Sequence, residues 1–267
     1  MKFRERLKPN YKFGHFDFEP VKRYELKSIT TDGSRMYFVP SRRSAIIQDS
    51  NNPIYLEAYK SVTTIISEKS DTQWLDDWRD RIGHEEANAI TTMAGNRGTD
   101  IHEMAEKYVR GQEWWDGRTS ININDFRKLI PLLDAKISNI RGTELKLFSH
   151  HLKAAGTCDL VCNWNNEIAI VDYKTSRRMK TKDDILGYLI QATAYAVMFQ
   201  ELYGTRVDKI VVIILVDGED APLVFEEQPS HFFPKIQEFF EPREWWHHSS
   251  TCAREVLWRH SNPLFIR

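Results

Sequence analysis

The spacing of hydrophobic residues predicts a series of helices over the first half of the chain. Apolar side chains recur at helical spacing over residues 72–93, with an interruption expected at Gly83, and again over 101–110 and 124–140. The Trp74 and Trp78 side chains lie on the first of these stripes and are expected to belong to the core. Residues 96–99 are predicted to form a turn that Thr99 caps, and Gly111 is expected to end the following helix.

The apolar period changes to two in the second half, which indicates strands. Strands are predicted over residues 144–148, 156–162 and 167–174, with a tight turn at 164–166 between the last two. A helix over 183–203, closed by Gly204, and an apolar strand over 209–216 follow, and 35–39 forms an earlier short strand. This order predicts an α/β fold with a mixed central sheet flanked by helices.

Composition places the chain among ordinary globular proteins, with 267 residues, of which 41% are hydrophobic and 28% are charged. No apolar run is long enough to span a bilayer, and the N-terminus lacks the apolar core of a secretory signal. We therefore expect a soluble intracellular protein, cytoplasmic if bacterial or phage-encoded, without a membrane partner.

Charge is unevenly distributed, although the formal net charge is only -1. Residues 1–50 and 173–216 are net basic, whereas 51–116 and 217–241 are net acidic. Near-neutrality excludes a uniformly basic protein but leaves room for a local groove that binds nucleic acid.

Acidic and basic side chains meet at the end of two predicted strands. Asp172 and Lys174 are two residues apart in a strand and therefore leave the same face, and Asp159 lies on the preceding strand across one tight turn. Converging carboxylates repel each other unless a cation lies between them, and Mg²⁺ or Mn²⁺ would relieve the repulsion. Taken alone, an Asp-x-Lys pair is more often a surface ion pair.

Five motifs in a fixed order resemble the PD-(D/E)XK nuclease superfamily, and within it the RecB-type exonuclease branch that includes the mitochondrial genome maintenance exonuclease and related phage nucleases. The resemblance covers roughly residues 60–216. The motifs are Arg97-Gly-Thr-Asp-Ile-His102, Glu144, Gly156-Thr-Cys-Asp159, Val171-Asp-Tyr-Lys174 and Gln191-Ala-Thr-Ala-Tyr195. The resemblance implies a restriction-endonuclease-like core and metal-dependent cleavage of DNA.

The resemblance also implies roles for individual residues. Asp159 and Asp172 would be metal ligands for one or two Mg²⁺ or Mn²⁺ ions, with Lys174 as the catalytic lysine. His102 and the main-chain carbonyl of Tyr173 would complete the metal shell, and Glu144 would act as a ligand or support one. Thr157 and Cys158 stand where the signature proline is expected. The cluster-binding cysteines of the branch are absent and the chain has only three cysteines, so no iron–sulfur cluster is expected.

A further group of residues is predicted to contact DNA. Gln191 and Tyr195, four apart on a helix, would bind phosphate or a flanking base, although the alternative is that this helix edge packs on the sheet. Tryptophan pairs at 114–115 and 245–246 could stack on bases. Predicted contacts to the DNA backbone come from hydroxyl and guanidinium groups: Ser61, Thr63, Arg97, Arg177 and Arg178.

The predicted organisation is an N-terminal extension, residues 1–58, packed on a nuclease domain over 59–267 whose catalytic core spans about 95–216. The predicted function is a metal-dependent DNA exonuclease that prefers single-stranded ends. One alternative is a structure-specific or restriction-like endonuclease with the same residues, and another is a non-catalytic DNA-binding protein with a degenerate core. The expected partner is DNA, single-stranded or with a free end, and the sequence does not identify protein partners.

Overall fold

A computed structural model describes residues 13–41, 56–70 and 72–240. Within these ranges the chain forms eight strands and six helices. The strands are β1 (Lys27–Thr31), β2 (Ser34–Pro40), β3 (Leu56–Ser61), β4 (Ile137–Ser149), β5 (Ala154–Trp164), β6 (Glu167–Ser176), β7 (Lys209–Val216) and β8 (Leu223–Glu227). The helices are α1 (Val62–Lys69), α2 (Gln73–Ile82), α3 (His84–Val109), α4 (Ser120–Lys136), α5 (Leu186–Tyr203) and α6 (Phe233–Phe240).

The described strands form one mixed sheet in which β5 has three neighbours. Strands β1, β2, β3, β5, β6, β7 and β8 follow one another across the sheet, and β4 pairs with β5. The β3 strand runs parallel to the start of β5, at Ala154 and Ala155, and β6 runs antiparallel to its end, from Leu160 to Trp164. Residues 156–159 lie between these two pairings, so this part of β5 is where the sheet can open into a site.

Apolar side chains cover both faces of the sheet. One core cluster joins the sheet to α5, ten of whose residues are buried. The other joins the opposite face to α3 and α4 and contains the fully buried Trp114 and Trp164. Because strands β5 to β7 are covered on both sides, their sequences are mostly apolar. None of the helices in the described ranges is long and apolar enough to cross a membrane.

The structure confirms the mixed α/β architecture and several element boundaries. Gly83 separates α2 from α3 with φ of 90°, and Gly204 ends α5 in the left-handed conformation that glycine tolerates best. The predicted strands at 35–39, 156–162, 167–174 and 209–216 all lie within observed strands.

Two predictions in the α2–α3 region are wrong. Residues 96–99 form no turn, because α3 runs unbroken from His84 to Val109 and the Thr99 hydroxyl bonds back to the carbonyl of Gly95 within the helix. The Trp74 side chain is not in the core: it is 64% exposed, and α2 has no buried residue. The apolar stripe is present, but the described residues cover it only in part, since Leu75, Trp78 and Ile82 are half-buried.

The helix predicted over 124–140 is displaced toward the N-terminus. Thr119 caps α4 by accepting a hydrogen bond from the backbone N–H of Asn122, so the helix begins at Ser120. It ends at Lys136, because Ile137 begins β4, which is eight residues longer than the strand predicted over 144–148.

Candidate active site

The acidic residues are brought together by the register of three neighbouring strands. Leu160 of β5 pairs with Val171 of β6, so Asp159 and Asp172 occupy the next position outward on each strand. On the other side of β5, Thr143 and Leu145 pair with Leu160 and Cys158, which places Glu144 opposite Asp159. The tight turn at Asn165 and Asn166, both with positive φ, sets the β5–β6 register.

Helix α3 supplies the histidine of the site. His102 Nδ1 lies 3.4 Å from Asp159 Oδ1, and the His102 ring lies edge-on to the Tyr173 ring. The second oxygen of Asp159 accepts a hydrogen bond of 2.8 Å from the backbone N–H of Tyr173. Both oxygens of Asp159 are therefore oriented, one by the helix and one by the neighbouring strand.

Asp172 is held from two further directions. Its side chain is only 1% exposed, and its carboxylate contacts the ammonium group of Lys174. Gln191 Nε2 of α5 donates a hydrogen bond of 3.0 Å to Asp172 Oδ1. Lys174 Nζ in turn lies 5.1 Å from the centre of the Tyr188 ring, within the range of a cation–π contact.

The side chains present fit a divalent cation. One ligand atom each from His102, Glu144 and Asp159 lies within 4.8 Å of the others. Asp172 Oδ2 is buried and, apart from its ion pair with Lys174, accepts no hydrogen bond. The adjoining cavity has a volume of about 460 Å³ and is lined by Gly98, Thr99, His102, Glu103, Glu106 and Glu144. Carboxylate oxygens with one imidazole suit Mg²⁺ or Mn²⁺.

Burial and neighbouring charges shift the pKa values of the titratable groups in the site. Burial, with the nearby Asp159 carboxylate, raises the pKa of Glu144 to about 7. Burial also raises the pKa of Asp172 to about 6, although Lys174 opposes the rise. Burial disfavours the charged form of His102, but the hydrogen bond that its ring N–H donates to the Asp159 carboxylate outweighs this effect and raises the His102 pKa to about 9. A bound cation would replace these protons.

Glu144 adopts a backbone conformation that costs energy. Its φ is 46°, in the left-handed region that residues other than glycine seldom occupy. Strain of about 1–3 kcal/mol at a single residue is typical of functional sites. The geometry supports the interpretation that Glu144 belongs to the site.

A close approach between β5 and α5 explains why Gly156 and Tyr195 occur together. A Cβ atom at Gly156 would lie 2.7 Å from the Tyr195 ring, so only glycine admits the ring there. Tyr195 is 3% exposed and Gln191 is 8% exposed. These contacts favour the alternative in which this helix edge packs beneath the site, rather than a surface that reaches DNA.

Other residues that were predicted to bind DNA have different positions. Ser61 is buried and caps α1 by accepting from the backbone N–H of Thr64, whereas Thr63 is exposed and its hydroxyl bonds Ser61. Arg97 is held by Asp125 at 3.0 Å and by Asp217 at 2.7 Å, so its guanidinium is neutralised within the protein.

Exposed candidates for DNA contacts remain just after β6, whereas the tryptophan pair at 114–115 is buried or partly buried. Arg177 and Arg178 are both exposed, just after β6. Trp114 is fully buried, and Trp115 is partly buried against Phe13. The Trp245–Trp246 pair lies outside the described residues.

Comparison with protein-family models gives one match, to the PD-(D/E)XK nuclease superfamily over residues 113–256, more than half of the chain. The chain belongs to this superfamily. Membership implies a nuclease that acts on nucleic acid, and nucleases of the superfamily typically use divalent metals. The match includes Glu144, Asp159, Asp172 and Lys174 but not His102.

Two further comparisons add little to the superfamily assignment. No curated protein matches the chain. Among solved structures, one described as the crystal structure of SSO0001 is 13% identical, with a TM-score of 0.25, and the match covers 63% of this chain and 86% of that one. The RecB-type branch within the superfamily stays a prediction.

Sequence reasoning missed two groups beside the site of this superfamily nuclease. Tyr188 precedes Gln191 by three residues, so helical spacing could have placed it on the same helix face as the Gln-x-x-x-Tyr motif, but its contact with Lys174 joins two separate elements. Arg118 binds Asp100 and Glu103 of α3, beside His102. That contact joins separate elements, and no local pattern signals it.

Proposed function

We propose that the protein is a metal-dependent DNA exonuclease that hydrolyses phosphodiester bonds and prefers single-stranded ends. The observation that carries the proposal is the convergence of Asp159, Asp172 and Lys174 at one opening of the sheet, with His102 facing them. Burial of a carboxylate beside an ammonium group opposes folding, because both charges lose their hydration. Such a pair is therefore expected where it serves a function.

The metal would be held by His102, Asp159 and Asp172, with Glu144 and the main-chain carbonyl of Tyr173 as additional ligands. A bound Mg²⁺ or Mn²⁺ ion supplies a water of lowered pKa and stabilises negative charge on the phosphate. The protein prepares this position by fixing the Asp159 oxygens through His102 and the Tyr173 N–H.

Lys174 would act on the scissile phosphate. Its ammonium group has three donors, and Asp172 occupies one side of it in the structure. The Tyr188 ring holds the cation without neutralising it, since a ring carries no net charge. Asp172 would share its charge between Lys174 and a bound metal, and the Tyr188 ring would keep Lys174 directed at the site.

The preference for ends rests on the resemblance to the RecB-type branch, and an endonuclease could use the same residues. Linear and circular single-stranded DNA, incubated side by side with the protein and Mg²⁺, separate the two. We expect the linear strand to be degraded and the circle to be spared, and EDTA to stop the reaction.

Controls for this experiment follow from the structure. Asp172→Asn keeps the shape of the side chain and its bond from Gln191 but removes the charge, so it should abolish degradation while leaving the fold intact. Cleavage of the circle would favour an endonuclease. Degradation that persists in EDTA or in Asp172→Asn would contradict the proposed function itself.

A further inference from the structure

The N-terminal segment Phe13–Leu26, hereafter the strap, lies along β4 before the first strand begins. Its backbone forms a short ladder with the start of β4. Ile140 N donates to Asp17 O at 2.7 Å, Glu19 N donates to Ile140 O at 2.9 Å, and Val21 N donates to Arg141 O at 3.0 Å. The strap therefore follows a fixed path toward Glu144.

A second set of contacts fixes the strap just beyond this ladder. The Tyr203 hydroxyl donates to the carbonyl of Lys22 at 2.7 Å, and the Tyr24 ring lies edge-on to Phe148 at 5.2 Å. Lys146 Nζ donates to the carbonyl of Leu26, whose side chain is 4% exposed. Arg23 is thus anchored on both sides, so its position does not depend on its own side chain.

The Arg23 side chain reaches the candidate active site. Its Nη2 atom donates a hydrogen bond of 3.1 Å to the main-chain carbonyl of Glu144. Glu144 lines the cavity of about 460 Å³ that adjoins His102.

Arg23 differs from the other cations near this site in its partners. Arg97, Arg118 and Lys174 all contact carboxylates of the protein. Arg23 is exposed and its guanidinium donates to a main-chain carbonyl, so no carboxylate within residues 13–41, 56–70 and 72–240 neutralises its charge by an ion pair. A guanidinium has five N–H donors, and the bond to the Glu144 carbonyl uses one of them.

We propose that Arg23 binds a phosphate of the DNA backbone next to the scissile one, and that the strap serves to position Arg23 there. The proposal rests on the proposed function, because it assigns a residue to the same site. A guanidinium matches phosphate geometry through paired N–H donors and binds it without reading base sequence. The acidic cavity needs such a cation, since carboxylates would otherwise repel the flanking phosphates.

Binding and turnover by the full-length chain test the proposal. We expect Arg23→Ala to raise KM for linear single-stranded DNA about tenfold, as for the loss of one charge-assisted contact, and to leave kcat within twofold. Binding of a short fluorescein-labelled strand, measured by anisotropy with Mg²⁺ in a Lys174→Ala background, should lose about 0.7 from its salt slope. Arg23→Lys should recover part of the affinity.

Lys22→Ala is the matched control, because it removes the same charge from the adjacent residue, whose ammonium group lies over the Tyr24 ring instead. It should leave KM and the salt slope unchanged. Equal effects of both variants would overturn the proposal in favour of a general charge effect. An unchanged KM in Arg23→Ala, or a lower melting temperature and kcat without a change in salt slope, would also overturn it.

The outcomes for the wild type separate this proposal from the proposed function. DNA binding that depends on Arg23, without any cleavage, would support Arg23 and overturn the nuclease function. DNA cleavage that does not depend on Arg23 would support the nuclease function and overturn the proposal for Arg23. A wild-type protein that neither binds nor cleaves DNA would overturn both.

Discussion

Replacement of Gly156 by alanine tests whether the packing of α5 on β5 supports the active site. The added Cβ would lie 2.7 Å from Tyr195 Cε1 and 2.8 Å from its hydroxyl oxygen, so the ring or the strand must move by about 1 Å to reach ordinary contact. Overpacking of this kind costs about 1–3 kcal/mol. Alanine recovers about 0.5–1 kcal/mol through a less flexible unfolded chain. We expect a net loss of about 1–2 kcal/mol.

Urea denaturation measures this loss as a lower midpoint at constant slope. Asp159 lies three residues along β5, so Mg²⁺-dependent cleavage should fall as well. Tyr195→Leu removes the clashing ring, and a double-mutant cycle should show a favourable coupling of about 1 kcal/mol between the two changes. Gly95→Ala is the control: its Cβ meets nothing within 4 Å inside α3, so it should stabilise the protein by about 0.5–1 kcal/mol. Wild-type stability of Gly156→Ala, or an absence of coupling, would refute the packing argument.

Three further predictions concern the residues around the site. Gln191→Leu removes the amide that donates to Asp172, so the free energy of unfolding, measured by urea denaturation, should fall by about 2 kcal/mol. Calorimetry should also show weaker Mn²⁺ binding, and an unchanged Mn²⁺ affinity would count against a positioning role for Gln191. Arg97→Met breaks the ion pairs with Asp125 and Asp217, so the free energy of unfolding should fall by about 2 kcal/mol while the salt slope of DNA binding stays unchanged. A shallower slope would instead support the prediction that Arg97 contacts phosphate. Mn²⁺ affinity, measured by calorimetry, should rise between pH 6 and pH 8, because Glu144 and His102 must lose protons to bind the ion. Their pKa values are about 7 and about 9. Glu144→Gln should flatten this rise, and a pH-independent affinity of the wild type would contradict the assignment of both residues as metal ligands.

The relative placement of the acidic and basic residues in the site was predictable from the sequence because it depends on short distances along the chain. Asp172 and Lys174 share a strand face, and Asp159 is joined to them by one tight turn, so alternation and turn residues fix their relative positions. The motif set also indicated that Gln191 and Tyr195 belong with them. It could not show that both are buried, since burial depends on how closely α5 approaches Gly156.

Features that depend on contacts between distant segments were not predictable. Trp74 lies on an apolar stripe like that of any core helix, and only the tertiary structure shows that its side chain is left 64% exposed. Residues 96–99 contain helix-breaking signals, but α3 packs against the sheet there and stays helical through them. The packing is close at Gly98, where an added Cβ atom would lie 3.8 Å from the hydroxyl oxygen of Thr175. Arg23 is 121 residues from Glu144, and no local pattern joins them.

The most direct test of the account is Mg²⁺-dependent degradation of linear single-stranded DNA by the wild type and by Lys174→Met. The account predicts rapid degradation by the wild type and a loss of about 10²–10³ in rate for the variant, as for other preorganised charges aimed at a reacting group. Mn²⁺ binding, checked by calorimetry on the same samples, should persist in Lys174→Met. A variant that degrades DNA at the wild-type rate would contradict the assignment of the active site.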